Sequence, residues 1–134
     1  MKIKRIIHIG ILVSGMESAL RLYTEDLGLR LQRREPFQGV ADIAFLPVGA
    51  TDLEIIADLP PAKEVSSLIA EKGEGVHHIA FEVDNIREAM NELKEKGISF
   101  REPEPKPGAH GTLTAFMDLR ATHGVLIELV QVGL

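Results

Sequence analysis

Residues 6–13 read IIHIGILV and residues 76–83 read VHHIAFEV, two strand-length apolar runs that each carry a histidine near their start. Alternation puts Ile7, Ile9, Ile11 and Val13 on one face of the first run and Ile6, His8, Gly10 and Leu12 on the other, the period of two that a β-strand imposes. A helical pattern follows each run. Ser14-Gly-Met-Glu17 has the spacing of a capping box, and Met16, Ala19, Leu20, Tyr23 and Leu27 make a stripe that Gly28 ends in a left-handed turn. The second copy starts a helix near Asp84 and Asn85, continues with Ile86, Ala89, Met90 and Leu93, and stops at Gly97. Three β-rich segments come after each helix, at 29–34, 40–48 and 51–57 and at 98–102, 112–117 and 124–132. The chain thus reads as one βαβββ module written twice.

Module one covers about 1–59, a connector with Pro60-Pro61 and a short amphipathic stretch covers about 60–74, and module two covers about 75–134. Modules of this size are marginal alone, so the spacing predicts one α+β domain over 1–134, its paired modules forming a curved-sheet cleft. The segment from Glu102 to Gly111, rich in proline and glycine, is expected to be a loop able to close over a site.

The formal charge of −5, with no long basic run, argues against nucleic acid as a partner, and an anionic substrate must be met by local cations. Without cysteine there is no thiolate metal site, disulfide or cysteine nucleophile. No apolar run is long enough to span a bilayer, and the N-terminal segment lacks a small-residue cleavage site. The expected location is the cytoplasm.

Each module ends on a strand that carries a glutamate, Glu54 in TDLEIIADL and Glu128 in VLIELVQV. A carboxylate between a leucine and a valine, or among isoleucines, is expensive to bury unless it is paired, protonated or coordinated. Glu128 is therefore the most suspicious residue in the chain. Singly, a strand histidine is most often a hydrogen-bonded structural residue, and Glu54 reads as readily as a solvated one. Repeat symmetry changes the weighing, because His8, Glu54, His78 and Glu128 stand at matched positions. Two nitrogens and two carboxylate oxygens suit one octahedral divalent ion, whether cobalt, nickel, manganese, zinc or magnesium. His77 falls on the opposite strand face from His78, and His110 and His123 fall in loops.

The stretches HIGILV, SALRLYTEDLGL, QGVADIAFLPVG, GEGVHHIAFEVDNI, PKPGAHGTLTAF and GVLIELVQ resemble the vicinal oxygen chelate superfamily and, within it, the methylmalonyl-CoA epimerases. The likeness implies metal ligation by His8, Glu54, His78 and Glu128. It implies epimerisation of the 2R and 2S forms of methylmalonyl-CoA, or a similar acyl-CoA, by proton transfer through a metal-stabilised enolate. Glu128 and Asp42 are then the two proton carriers, although Asp42 stands where the epimerase pattern has the longer glutamate. Arg120 and Lys106 are the cations that would meet an anionic substrate, and Asp118-Leu119-Arg120 departs from the usual histidine, proline, lysine. Superfamily members of this size are often dimers, so the resemblance implies a homodimer. The competing readings are a glyoxalase I type isomerase acting on a glutathione hemithioacetal at the same four positions, and a metal-free binding protein that sequesters a small molecule.

Overall fold

A computed structural model of the chain describes residues 1–133. Two compact units emerge, one of His8–His77 and one of Met1–Ile7 with the chain from His78 onward. The dividing point falls inside the first strand, β1 (Ile3–Leu12), with Ile3–Ile7 in one unit and His8–Leu12 in the other. The modules read from sequence are both present.

In the His8–His77 unit the strands β2 (Arg33–Phe37), β3 (Ala41–Val48) and β4 (Thr51–Asp58) join β1 in the order β2-β3-β4-β1. β4 runs parallel to β1, with His8 opposite Asp52 and Gly10 opposite Glu54, and antiparallel to β3, with Phe45 opposite Glu54. Residues directly opposite across a ladder share a face. Ala44, Leu46, Ile55 and Ala57 therefore lie on the face that α1 (Met16–Leu20) covers through Met16 and Leu20. The other face carries His8, Phe45 and Glu54.

α1 departs from expectation in two ways. Its N-cap is Gly15, without a side-chain cap, because Ser14 turns its backbone N–H and hydroxyl to the Glu74 carboxylate, at 2.7 and 2.9 Å. After Leu20 the helix widens into a π-helical segment, Arg21–Asp26, in which Leu27 N–H donates to Leu22 O. The wider turn rotates Leu27 off the apolar stripe, and it is 60% exposed. α2 (Glu64–Lys72) is the amphipathic connector, its N-terminus held by Asp58, which accepts from the N–H groups of Val65 and Ser66.

The other unit has the order β1-β5-β8-β7-β6, with β5 (Gly75–Val83), β6 (Lys106–Pro107), β7 (Leu113–Phe116) and β8 (Ile127–Gln131). α3 (Ile86–Glu95) follows the sequence reading closely. Asn85 caps it by accepting from Glu88 N–H, and Ile86, Ala89, Met90 and Leu93 are all buried against Val83, Ala115 and Leu129. Gly97 has φ +87°, a conformation that favours glycine. The expected strand at 98–102 reduces to one bridge, Phe100 to Met117, before prolines at 103, 105 and 107 remove backbone donors. Part of the expected loop is a paired edge, since Lys106 and Pro107 lie opposite Thr114 and Leu113. Gly108 is needed there: a Cβ would come within 2.6 Å of the Thr112 and Thr114 side chains. Among the described residues no helix is long and apolar enough to cross a membrane.

Candidate metal centre

Each unit sets one histidine beside one glutamate on the sheet face that its helix does not cover. In the His8–His77 unit, His8 Nδ1 lies 3.0 Å from Glu54 Oε2 and both side chains are largely buried. β1 supplies the histidine and β4 the carboxylate, and their parallel register places them two residues apart on one face. In the other unit His78 Nε2 lies 3.4 Å from Glu128 Oε1, and these side chains are 7% and 8% exposed. Glu128 is opposite Ala80 of β5 and Phe116 of β7, and the Phe116 ring meets the His78 imidazole edge-on at 5.4 Å. Phe81 and Leu129, one residue along each strand, pack on the α3 side instead.

These spacings suit metal donors. Ligands about 2.1 Å from one ion sit roughly 3.0 Å apart when cis on an octahedron and roughly 3.4 Å apart on a tetrahedron. As hydrogen-bonded pairs the same contacts are ordinary. The chemistry of the donors favours a first-row divalent ion, because imidazole nitrogen and carboxylate oxygen are the ligands such ions share. Near-burial of a carboxylate in each pair gives a physical reason for coordination.

Asp42 does not join this face. It lies opposite Ala57 on β4 and so shares the helix-covered face with Ala44 and Leu46, away from Glu54. Both of its oxygens accept from Arg34, at 2.8 to 3.2 Å, and Arg34 also donates to Glu17 of α1 at 2.7 Å. The hydrogen bonds to Asp42 and then to Glu17 hold the guanidinium pKa well above its ordinary value. Asp42, expected as the second proton carrier, is set by this register where its carboxylate ties β2 and β3 to α1 through Arg34.

The two cations expected to meet substrate are engaged locally. Arg120, 86% exposed, forms a two-pronged pair with Asp118, whose carboxyl is held below the usual range by those hydrogen bonds. Lys106 pairs with Glu102 at 2.8 Å. His110 and His123 stand in turns at φ +57° and +55°.

Two features escaped the sequence reading. Glu82 is buried, 5% exposed, with Arg5 Nε at 2.6 Å and Lys4 Nζ at 3.7 Å. A glutamate between Phe81 and Val83 is as costly to bury unpaired as Glu128, so the sequence carried its signal. Arg33 lies opposite Phe45, which lies opposite Glu54, so it shares the ligand-bearing face. That placement needs the register of three strands.

A family model of the glyoxalase/bleomycin resistance protein/dioxygenase superfamily matches residues 7–116, a span that takes in both histidines and Glu54. The chain belongs to this superfamily. Within it, the chain is 35% identical over 130 residues to the mitochondrial methylmalonyl-CoA epimerase of Homo sapiens, covering 95% of this chain and 73% of that protein. It is 33% identical over 134 residues to the ethylmalonyl-CoA/methylmalonyl-CoA epimerase of Cereibacter sphaeroides, covering 97% and 99%. A Streptomyces coelicolor methylmalonyl-CoA epimerase variant, solved with 2-nitronate-propionyl-CoA, superposes with a TM-score of 0.86 at 28% identity over 97% of this chain and 95% of that one. The paired βαβββ modules expected from sequence are those of the superfamily fold, and the resemblance to methylmalonyl-CoA epimerases holds over nearly the whole chain.

Proposed function

We propose that the chain is a metal-dependent epimerase that interconverts the 2R and 2S forms of methylmalonyl-CoA or a close relative. The observation that carries this reading is the pair of histidine–glutamate contacts, one per module, at 3.0 and 3.4 Å, the first largely buried and the second buried. Similarity to epimerases of two organisms over nearly the full chain supports the substrate class. His8, Glu54, His78 and Glu128 would hold one divalent ion, a reading supported by the histidine–glutamate contact within each unit.

Such an ion, when bound, supplies a Lewis acid that stabilises the negative charge developing on a thioester oxygen as the α-proton leaves. The protein's own groups do the rest. Inversion requires a proton acceptor on one side of the α-carbon and a donor on the other. Glu128 serves as one carrier. Glu54, its repeat counterpart, takes the second role in place of Asp42, because its carboxylate lies on the histidine-bearing face. Phe116, edge-on to His78 and opposite Glu128, gives both an apolar neighbour. A homodimer and a cytoplasmic location accompany this reading by analogy with the superfamily.

Glu128→Gln tests the assignment. With the far-ultraviolet circular dichroism unchanged, epimerisation of one resolved diastereomer should fall by about a hundredfold or more. Near-normal turnover would discard Glu128 as a proton carrier.

A further inference from the structure

Three side chains form a row across the ligand-bearing face of the His8–His77 unit. Arg33 on β2 is opposite Phe45 on β3, and Phe45 is opposite Glu54 on β4. The next position, on β1, is Gly10, which carries no side chain. Neighbouring strands stand about 4.8 Å apart, so the Arg33 and Glu54 backbones are separated by about 10 Å. The Arg33 guanidinium carbon lies 4.1 Å from the centroid of the Phe45 ring, and that residue is only 2% exposed. The cation is therefore held over the Phe45 ring, one strand from Glu54, while its side chain stays 35% exposed. A cation–π contact of this kind restricts the guanidinium, so less freedom is lost when it meets an anion.

Two of its polar contacts lie at the surface. Nε faces Glu35 Oε2 at 3.6 Å, and Nη1 donates to the Gln32 side-chain oxygen at 3.2 Å. Surface contacts of this kind contribute little, and an incoming anion can replace them. Arg34, the adjacent residue, cannot share the task, since alternation turns it to the helix side, where Asp42 and Glu17 hold it.

We propose that Arg33 is a substrate-positioning residue, a pre-oriented anchor for an anionic oxygen group of the acyl-CoA, either its carboxylate or its phosphates. This rests on the acyl-CoA reading and adds to it the local cation that a chain of net charge −5 needs. Arg33, on this account, sets KM and leaves the proton transfer to the glutamates.

The test compares wild type, Arg33→Gln and Arg33→Lys on methylmalonyl-CoA and on methylmalonyl-pantetheine, which lacks the nucleotide phosphates. Arg33→Gln should raise KM about tenfold or more while changing kcat less than about threefold, as loss of a charged hydrogen bond predicts. A rise with both substrates identifies the carboxylate; a rise with the CoA ester alone identifies the phosphates. Arg33→Lys keeps the charge and should recover part of the loss. The proposal is overturned by an unchanged KM on both substrates in Arg33→Gln. It is equally overturned if Arg33→Lys is as impaired as Arg33→Gln and both melt at lower temperature, since Arg33 would then be only a cap on Phe45. If the metal-loaded wild type turns over neither substrate, the acyl-CoA reading itself fails and the anchor fails with it.

Discussion

Asp42→Asn keeps the shape of the side chain and removes its charge. In the folded protein both Asp42 oxygens accept from Arg34, on the sheet face that carries Ala44 and Leu46. Arg34 is 37% exposed and its second partner, Glu17, 77%, so solvent screens much of this cluster. Exposed pairs contribute roughly 0.2–1 kcal/mol, and a two-pronged contact to a mostly buried carboxylate belongs at the upper end, near 1 kcal/mol. For a domain of this length that corresponds to a melting temperature lower by about 3–5 °C. Turnover should change by less than about threefold, whereas removing a proton carrier costs about 100- to 10,000-fold. Thermal melting followed by diastereomer-resolved epimerisation separates the two outcomes by orders of magnitude. A hundredfold fall in kcat at an unchanged melting temperature would refute the assignment of Asp42 to the helix-side clamp.

Asn85→Ala removes the side-chain cap of α3 and should cost about 1 kcal/mol in urea unfolding, with no change in the KM of the metal-loaded protein. Glu74 accepts from the Ser14 N–H and hydroxyl, which hold its carboxyl below the ordinary value of 4.5. A depressed folded pKa contributes stability above the unfolded pKa and loses it as pH falls through the folded one, so the melting-temperature gap between wild type and Glu74→Gln should shrink from about pH 6 to about pH 3. A gap that widens on acidification would contradict that sign.

Local patterns were legible where one periodicity ran unbroken. The α3 stripe, its Asn85 cap and the Gly97 stop were all readable because a ten-residue α-helix keeps one period throughout. α1 was less so: its stripe was drawn at 3.6 residues per turn, and the π-helical segment at Arg21–Asp26 breaks that period before Leu27. The capping box at Ser14 yielded to a partner 60 positions along the chain, Glu74, which no local pattern announces. The histidine–glutamate pairs were visible through the repeat, since matched positions compensate for ignorance of register. Asp42 had no such partner to align with. Its face depends on whether it lies opposite Ala57 or one residue to either side, and a slip of one residue in an antiparallel pair reverses every side chain. Arg33 was hidden for the same reason, two strands removed from Glu54.

The claim that histidine–glutamate pairs serve α-proton chemistry on an acyl-CoA is tested most directly by proton NMR. Methylmalonyl-CoA in deuterated water is followed with the cobalt-loaded protein and with a chelator-stripped control. The α-proton signal should disappear in the loaded sample at a rate well above the control. Retention of that signal in both samples, with the metal shown to be bound, would contradict it.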